Sequence, residues 1–122
     1  MPASSPTQVV SLSAASASGA VGAAVNASEW GMVAVAIQGN GTVTSGVVTI
    51  EEAVYGGMGS QNTVPQYTGT WSTVTTVDCS SLSNAQTVIH LQRAAFSHLR
   101  AHITTVIGGG GTVTAYLIGS PN

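Results

Sequence analysis

Charge is what this sequence has least of. Its 122 residues hold two Lys+Arg and four Asp+Glu, a formal net charge of −2, and both cations are arginines, Arg93 and Arg100. Without lysine the chain cannot neutralise a row of phosphates, so nucleic acid is excluded as an expected partner. Nor is there enough mixed charge to keep a free monomer apart from its neighbours, which points to life inside an assembly. Cysteine is almost missing as well. A lone Cys79 permits no internal disulfide and no multi-cysteine zinc site, and reads as a buried bystander. Long apolar runs are absent, because Gly, Ser and Thr interrupt every stretch before the roughly 18 residues of a membrane helix. The opening MPASSPTQVV lacks the basic and apolar regions of a secretory signal, so no membrane segment and no export signal are expected.

What the chain does have is strand signal. Hydrophobic residues make up 43% of it, too many for disorder at this low charge. Val, Ile and Thr fill its periodic stretches, and Gly, Asn, Ser or Pro punctuate them. Strands are expected at 8–13, 20–26, 31–38, 42–54, 68–77, 86–93, 97–107 and 112–118. Such a series predicts an all-β fold, a jelly-roll-like β-sandwich of about eight antiparallel strands. The Ala/Ser-rich stretch 1–28 reads as a flexible arm with weak edge strands, and 29–122 as the sandwich domain.

Turn chemistry suggests the connections. Asn40-Gly41 fits a type I′ turn, so strands 31–38 and 42–54 are expected to pair as a hairpin. Gly108 to Gly111 gives the same freedom between the last two strands. No helix signal or lysine follows this run, so it is not a phosphate loop.

Alternation assigns the faces. Leu99, Ala101 and Ile103 face the core, while His98, Arg100 and His102 share the opposite side. In the last strand Val113, Ala115 and Leu117 alternate with Thr114, Tyr116 and Ile118, so both faces turn apolar. A strand of that kind wants a second sheet on one side and a neighbouring subunit on the other.

Candidate chemistry is sparse. His98 and His102 lie two pleats apart, about 13 Å, too far to share one ion. They read as a polar contact row, and no metal or cofactor is expected. Glu51 and Glu52 point to opposite faces and cannot work as an acid/base pair. A half-buried Glu needs a cation, which suggests a structural ion pair between Glu51 and Arg100 near the rim of the core. Neither a Gly-x-Ser-x-Gly elbow nor a His-Glu-x-x-His motif occurs, so no enzyme activity is expected. The uncharged loop YGGMGSQNTVPQY is long for a compact domain, which makes Tyr55, Met58 and Tyr67, with His98 and His102, the candidate partner-contact residues. Trp30 and Trp71 read as closing the core at its ends. Exposed aromatics could instead stack on sugar rings, the alternative being a carbohydrate-binding or host-receptor-binding β-sandwich module of a tail or fibre.

Three stretches carry a resemblance: GNGTVTSGVVTIEEA at 39–53, GTWSTV at 69–74 and the ending FSHLRAHITTVIGGGGTVTAYLIGS. Together they resemble small virion proteins of tailed bacteriophages, in which a Gly-Thr-Val strand leads to an Ile-Glu core strand, a Trp strand and an Arg strand. Ile50-Glu51, Trp71 and Arg100 occupy those positions. The turn after the Glu strand departs from the pattern, with Tyr55-Gly56-Gly57 in place of an aspartate-containing turn. The resemblance implies a virion structural protein: a capsid cement or decoration protein that forms trimers and contacts the major capsid protein, or else a head-tail or tail component.

Overall fold

The computed structural model describes residues 7–28, 30–55, 67–91 and 98–121, of which 54–55, 67–70 and 121 by backbone alone. Eight strands run through it: β1 (Thr7–Ala15), β2 (Val25–Asn26), β3 (Trp30–Asn40), β4 (Ser45–Tyr55), β5 (Tyr67–Asp78), β6 (Gln86–His90), β7 (His98–Gly108) and β8 (Thr112–Pro121). They form two antiparallel sheets, in the orders β1-β8-β3-β6 and β2-β7-β4-β5. The pairing is nested: β1 with β8, β2 with β7, β3 with β6 and β4 with β5. Ladders between β3 and β8 and between β4 and β7 complete each sheet. This is the winding of a jelly roll, in which a long antiparallel ribbon folds over on itself to bury one face of each sheet.

The core lies between the sheets and follows the period of two. Val33, Val35, Ile37, Val113, Ala115 and Leu117 from one sheet meet Val48, Ile50, Leu99, Ala101 and Ile103 from the other, all buried. Cys79 is fully buried beside them, and desolvation raises the pKa of its thiol, suppressing the reactive thiolate.

Three expectations need correction. The first concerns hairpins. β3 and β4 lie in different sheets and do not pair, so Asn40-Gly41 turns a corner of the sandwich. Gly41 takes φ +80°, while Asn40 keeps an ordinary φ, so the turn is not type I′. Its backbone N–H donates to Asn84 Oδ1 at 2.8 Å, and the Val43 N–H donates to Ser83 Oγ at 2.8 Å, docking this corner on the 79–85 loop. The glycine run likewise joins strands of opposite sheets, with Gly109 at φ +101° where a Cβ would press on the Thr42 carbonyl. Glycine reverses the chain in both places, but the strands it joins are not neighbours.

The second correction concerns residues 7–28: β1 and β2 are edge strands as expected, but they are built into the sandwich and not set apart from it as an arm. β1 pairs along β8, and Ser11, Leu12, Val25 and Ala27 are buried. Ser11 Oγ donates to the Ala23 carbonyl at 2.8 Å and accepts the Ala101 N–H at 3.0 Å, tying the two sheet edges together. The third concerns the strand expected at 20–26, which shortens to Val25–Asn26. Before it, Gly19, Ala20 and Gly22 follow β7 through single backbone hydrogen bonds. Gly22 crowds the Ser11 backbone so closely that no side chain fits there.

Candidate functional site

The jelly roll leaves two outer faces, and they are unlike. The outer face of β2-β7-β4-β5 gathers the charge. Glu51 on β4 stands in register with Arg100 on β7, and Thr49 with His102. Arg100 Nε donates to Glu51 Oε1 at 2.8 Å, and His102 Nδ1 lies 3.1 Å from Glu51 Oε2. The Arg100 guanidinium stacks 4.0 Å from the centre of the Trp71 ring. Thr49 and Thr104 join hydroxyls at 2.8 Å beside this cluster. The expected place for the ion pair was the rim of the core; it lies on the outer face of the sheet. Trp71 sits with it, beneath Arg100, and does not close the core. Trp30 does pack against the core from the other sheet.

Burial raises the Glu51 carboxyl pKa, but the hydrogen bonds from His102 and Arg100 and their charge outweigh it and hold the group below its ordinary 4.5. A carboxylate with a lowered folded pKa stabilises the fold above its unfolded value and loses that contribution as pH falls through the folded one. The network therefore stabilises fully above about pH 4.5 and fades below it. Glu51→Gln is expected to cost about 1 kcal/mol at neutral pH, the scale of a partly exposed charged pair. It should also shrink the loss of melting temperature between neutral pH and pH 3. Thermal melts of both proteins at the two pH values check this; an undiminished acid loss in the variant would assign it to other groups.

The outer face of β1-β8-β3-β6 is the opposite in character. Its described residues are Gln8 and Val10 on β1, Thr114, Tyr116, Ile118 and Ser120 on β8, Met32, Ala34, Ala36 and Gln38 on β3, and Gln86, Val88 and His90 on β6. None is Lys, Arg, Asp or Glu. Met32 is 63% exposed, Val88 45% and Val10 43%. A groove of about 250 Å³ opens here between Ile118, Ala34 and His90, with Met32 and Leu91 at its end. Of the large apolar side chains exposed among the described residues, Met32, Val88 and Val10 share this face while Val21 and Val106 lie with the other sheet, and such a grouping on one flat face marks an interaction surface.

Comparison with known proteins places the fold. No protein-family model and no curated protein matches the chain. The SPBc2 prophage-derived protein YomS is similar in structure, with a TM-score of 0.52 and 12% identity over 93% of this chain and 93% of that one. A chain from the disulfide-linked pili of Bacillus endospore appendages aligns with a TM-score of 0.49 and 14% identity, over 96% of this chain and 87% of that one. At 12% identity the likeness to YomS is one of fold.

Of the residues singled out from the sequence, the fold brings Glu51, Arg100 and His102 together. Tyr55 and Tyr67 are register partners across β4 and β5, at the ends of those strands. Met58, Glu29 and Arg93 lie outside the described residues. His98 stands opposite Asn26 at the short β2 edge, and His102 is taken up by Glu51. No group of three or more His, Cys, Asp or Glu placed to hold a metal occurs among the described residues, and no helix long and apolar enough to cross a membrane occurs among them. Sequence reasoning missed Val10, Met32, Ala34 and Val88. Each comes from a different strand or pleat, and only the doubly apolar β8 signalled the face they build.

Proposed function

We propose that the chain is a structural, non-catalytic subunit of a bacteriophage particle, a capsid cement protein that holds to its own copies and to the major capsid protein. The observation that carries this reading is the uncharged outer face of β1-β8-β3-β6, with Met32, Val10 and Val88 in solvent. A free monomer gains nothing from such a face, whereas a subunit buries it. Confinement of the charges among the described residues to the other sheet, the sequence resemblance to virion proteins and a fold shared with a prophage-derived protein support the same reading. Placement on the virion, and the trimer implied by the resemblance, belong to this proposal. Phage heads stripped of the protein test it. Purified chain should co-sediment with them to saturation and raise the temperature at which they rupture. If micromolar protein stays in the supernatant and rupture is unchanged, the cement reading is lost.

A further inference from the structure

The uncharged face is more than apolar; its residues are arranged so that the face complements itself. Pairing registers set the side chains in rows. One row, across the four strands, reads Val10, Tyr116, Ala36, Val88, and the next reads Gln8, Ile118, Ala34, His90. In each row the third place, on β3, is alanine. A shallow trough thus runs along β3, walled on one side by Tyr116 and Ile118 and on the other by Val88 and His90, and the groove lined by Ala34, Ile118 and His90 is part of it.

Consider a two-fold axis parallel to the strands, midway between β8 and β3. Rotation about it lays β8 of one copy over β3 of the other and β1 over β6, without shifting any row. Tyr116 then meets Ala36 of the second copy and Ile118 meets its Ala34, large on small. Val10 meets Val88 of the second copy, apolar on apolar, and Gln8 meets its His90, polar on polar. Each contact occurs twice, as an isologous interface requires. No like charges are brought together, because the described face carries no Lys, Arg, Asp or Glu.

We propose that this face is the seat of a second copy of the chain, packed sheet on sheet about that axis with β8 over β3. The strands of the two copies run within about 30° of each other, the angle set by sheet twist. Strands of nine, ten, eleven and five residues, about 4.8 Å apart and rising about 3.3 Å per residue, give a footprint of roughly 550 Å². Side-chain relief brings the buried surface toward the ~800 Å² per partner of a stable interface. The contact joins copies in pairs and is compatible with a threefold arrangement built from other surfaces. It deepens the particle-subunit reading and rests on it only in expecting copies to meet.

The test uses the full chain. Light scattering and sedimentation should show a dimer. Val88→Glu and Met32→Glu place a charge in the contact at exposed positions, where folding is undisturbed, and should weaken self-association about 30-fold or more, the loss seen at an interface hot spot. Thr73→Glu, on the outer face of the other sheet, should leave it unchanged. Disulfide trapping reads the axis directly, with native Cys79 silent because it is buried. A mixture of Val10→Cys and Val88→Cys chains should give the mixed disulfide in excess over either homodimer. Monomeric wild-type chain, equal effects of Val88→Glu and Thr73→Glu, or no excess of the mixed disulfide would each overturn the proposal. The two readings fail separately: a monomer that still saturates stripped heads loses only the paired face, and a dimer of this geometry that ignores them loses only the cement role.

Discussion

Leu117→Ala is expected to lower the unfolding free energy by about 2–5 kcal/mol, the range for truncating a fully buried leucine in a packed core. Leu117 has no exposed surface and lies on β8, in register with Val9 on one side and Val35 on the other. Val35 is held by a second ladder, to Ile89 on β6, so the site has little freedom to collapse around the missing atoms. Domains of this size have about 5–15 kcal/mol in reserve, and the variant should sit near the edge of folding. Urea denaturation followed by circular dichroism measures the change. A loss below about 1 kcal/mol would mean that the two sheets repack around the gap, and that the core is looser than its burial indicates.

Gly119→Ala should have an effect of similar size by an unrelated route. A Cβ on Gly119 would overlap the indole ring of Trp30, which lies across this glycine and packs against the core. The ring cannot stay where it is. Overfilling a packed site costs about 1–3 kcal/mol, and losing an aromatic's packing altogether costs about 3–5. We expect about 3 kcal/mol, because the indole swings out while β8 keeps its ladders to β1 and β3. Trp71→Phe makes Trp30 the single tryptophan, and in that background Gly119→Ala should shift its emission to the red. Unchanged emission together with unchanged stability would show that Trp30 does not depend on this glycine.

Both predictions fall on strands that the sequence displays openly. Val, Ile and Thr in alternation locate most strands to within a few residues, because the buried side of each sheet repeats every second position. The nested winding is less visible, and the reason is chemical. Asn40-Gly41 and the glycines after Gly108 permit positive φ whether the chain returns to its own sheet or crosses to the other. Local turn chemistry therefore cannot separate a hairpin from a sandwich corner, and the corner is fixed instead by its hydrogen bonds to Ser83 and Asn84, some forty residues away. Residues 7–28 mislead for a related reason. Their small side chains look like a linker, but Ser11 and Gly22 are small because two backbones meet there.

The candidate site divides in the same way. Tyr116 and Ile118 announce a second apolar face from the alternation of a single strand. Met32, Ala34, Val88 and Val10 acquire meaning only when four strands are laid side by side, and the alanine trough depends on registers that no local pattern encodes. Trp71 is the clearest miss. A tryptophan in a strand of an apolar chain suggests core, but here the scarce arginine lies over it on the outer side.

The pairing of β1 with β8 also has a consequence for biosynthesis. Val9 has its ladder partner in Leu117, so β1 stays unmatched on the ribosome until the strands between the two, and β8 itself, have followed it out. At about 5–20 residues per second that interval lasts on the order of seconds, during which an uncharged strand edge lies open to other nascent chains. Because β8 is the inner strand between β1 and β3, its arrival completes two ladders at once. A message cut short before β8 would thus yield a chain with β1 unpaired and β3 open along one edge, prone to aggregate before it could be built into anything.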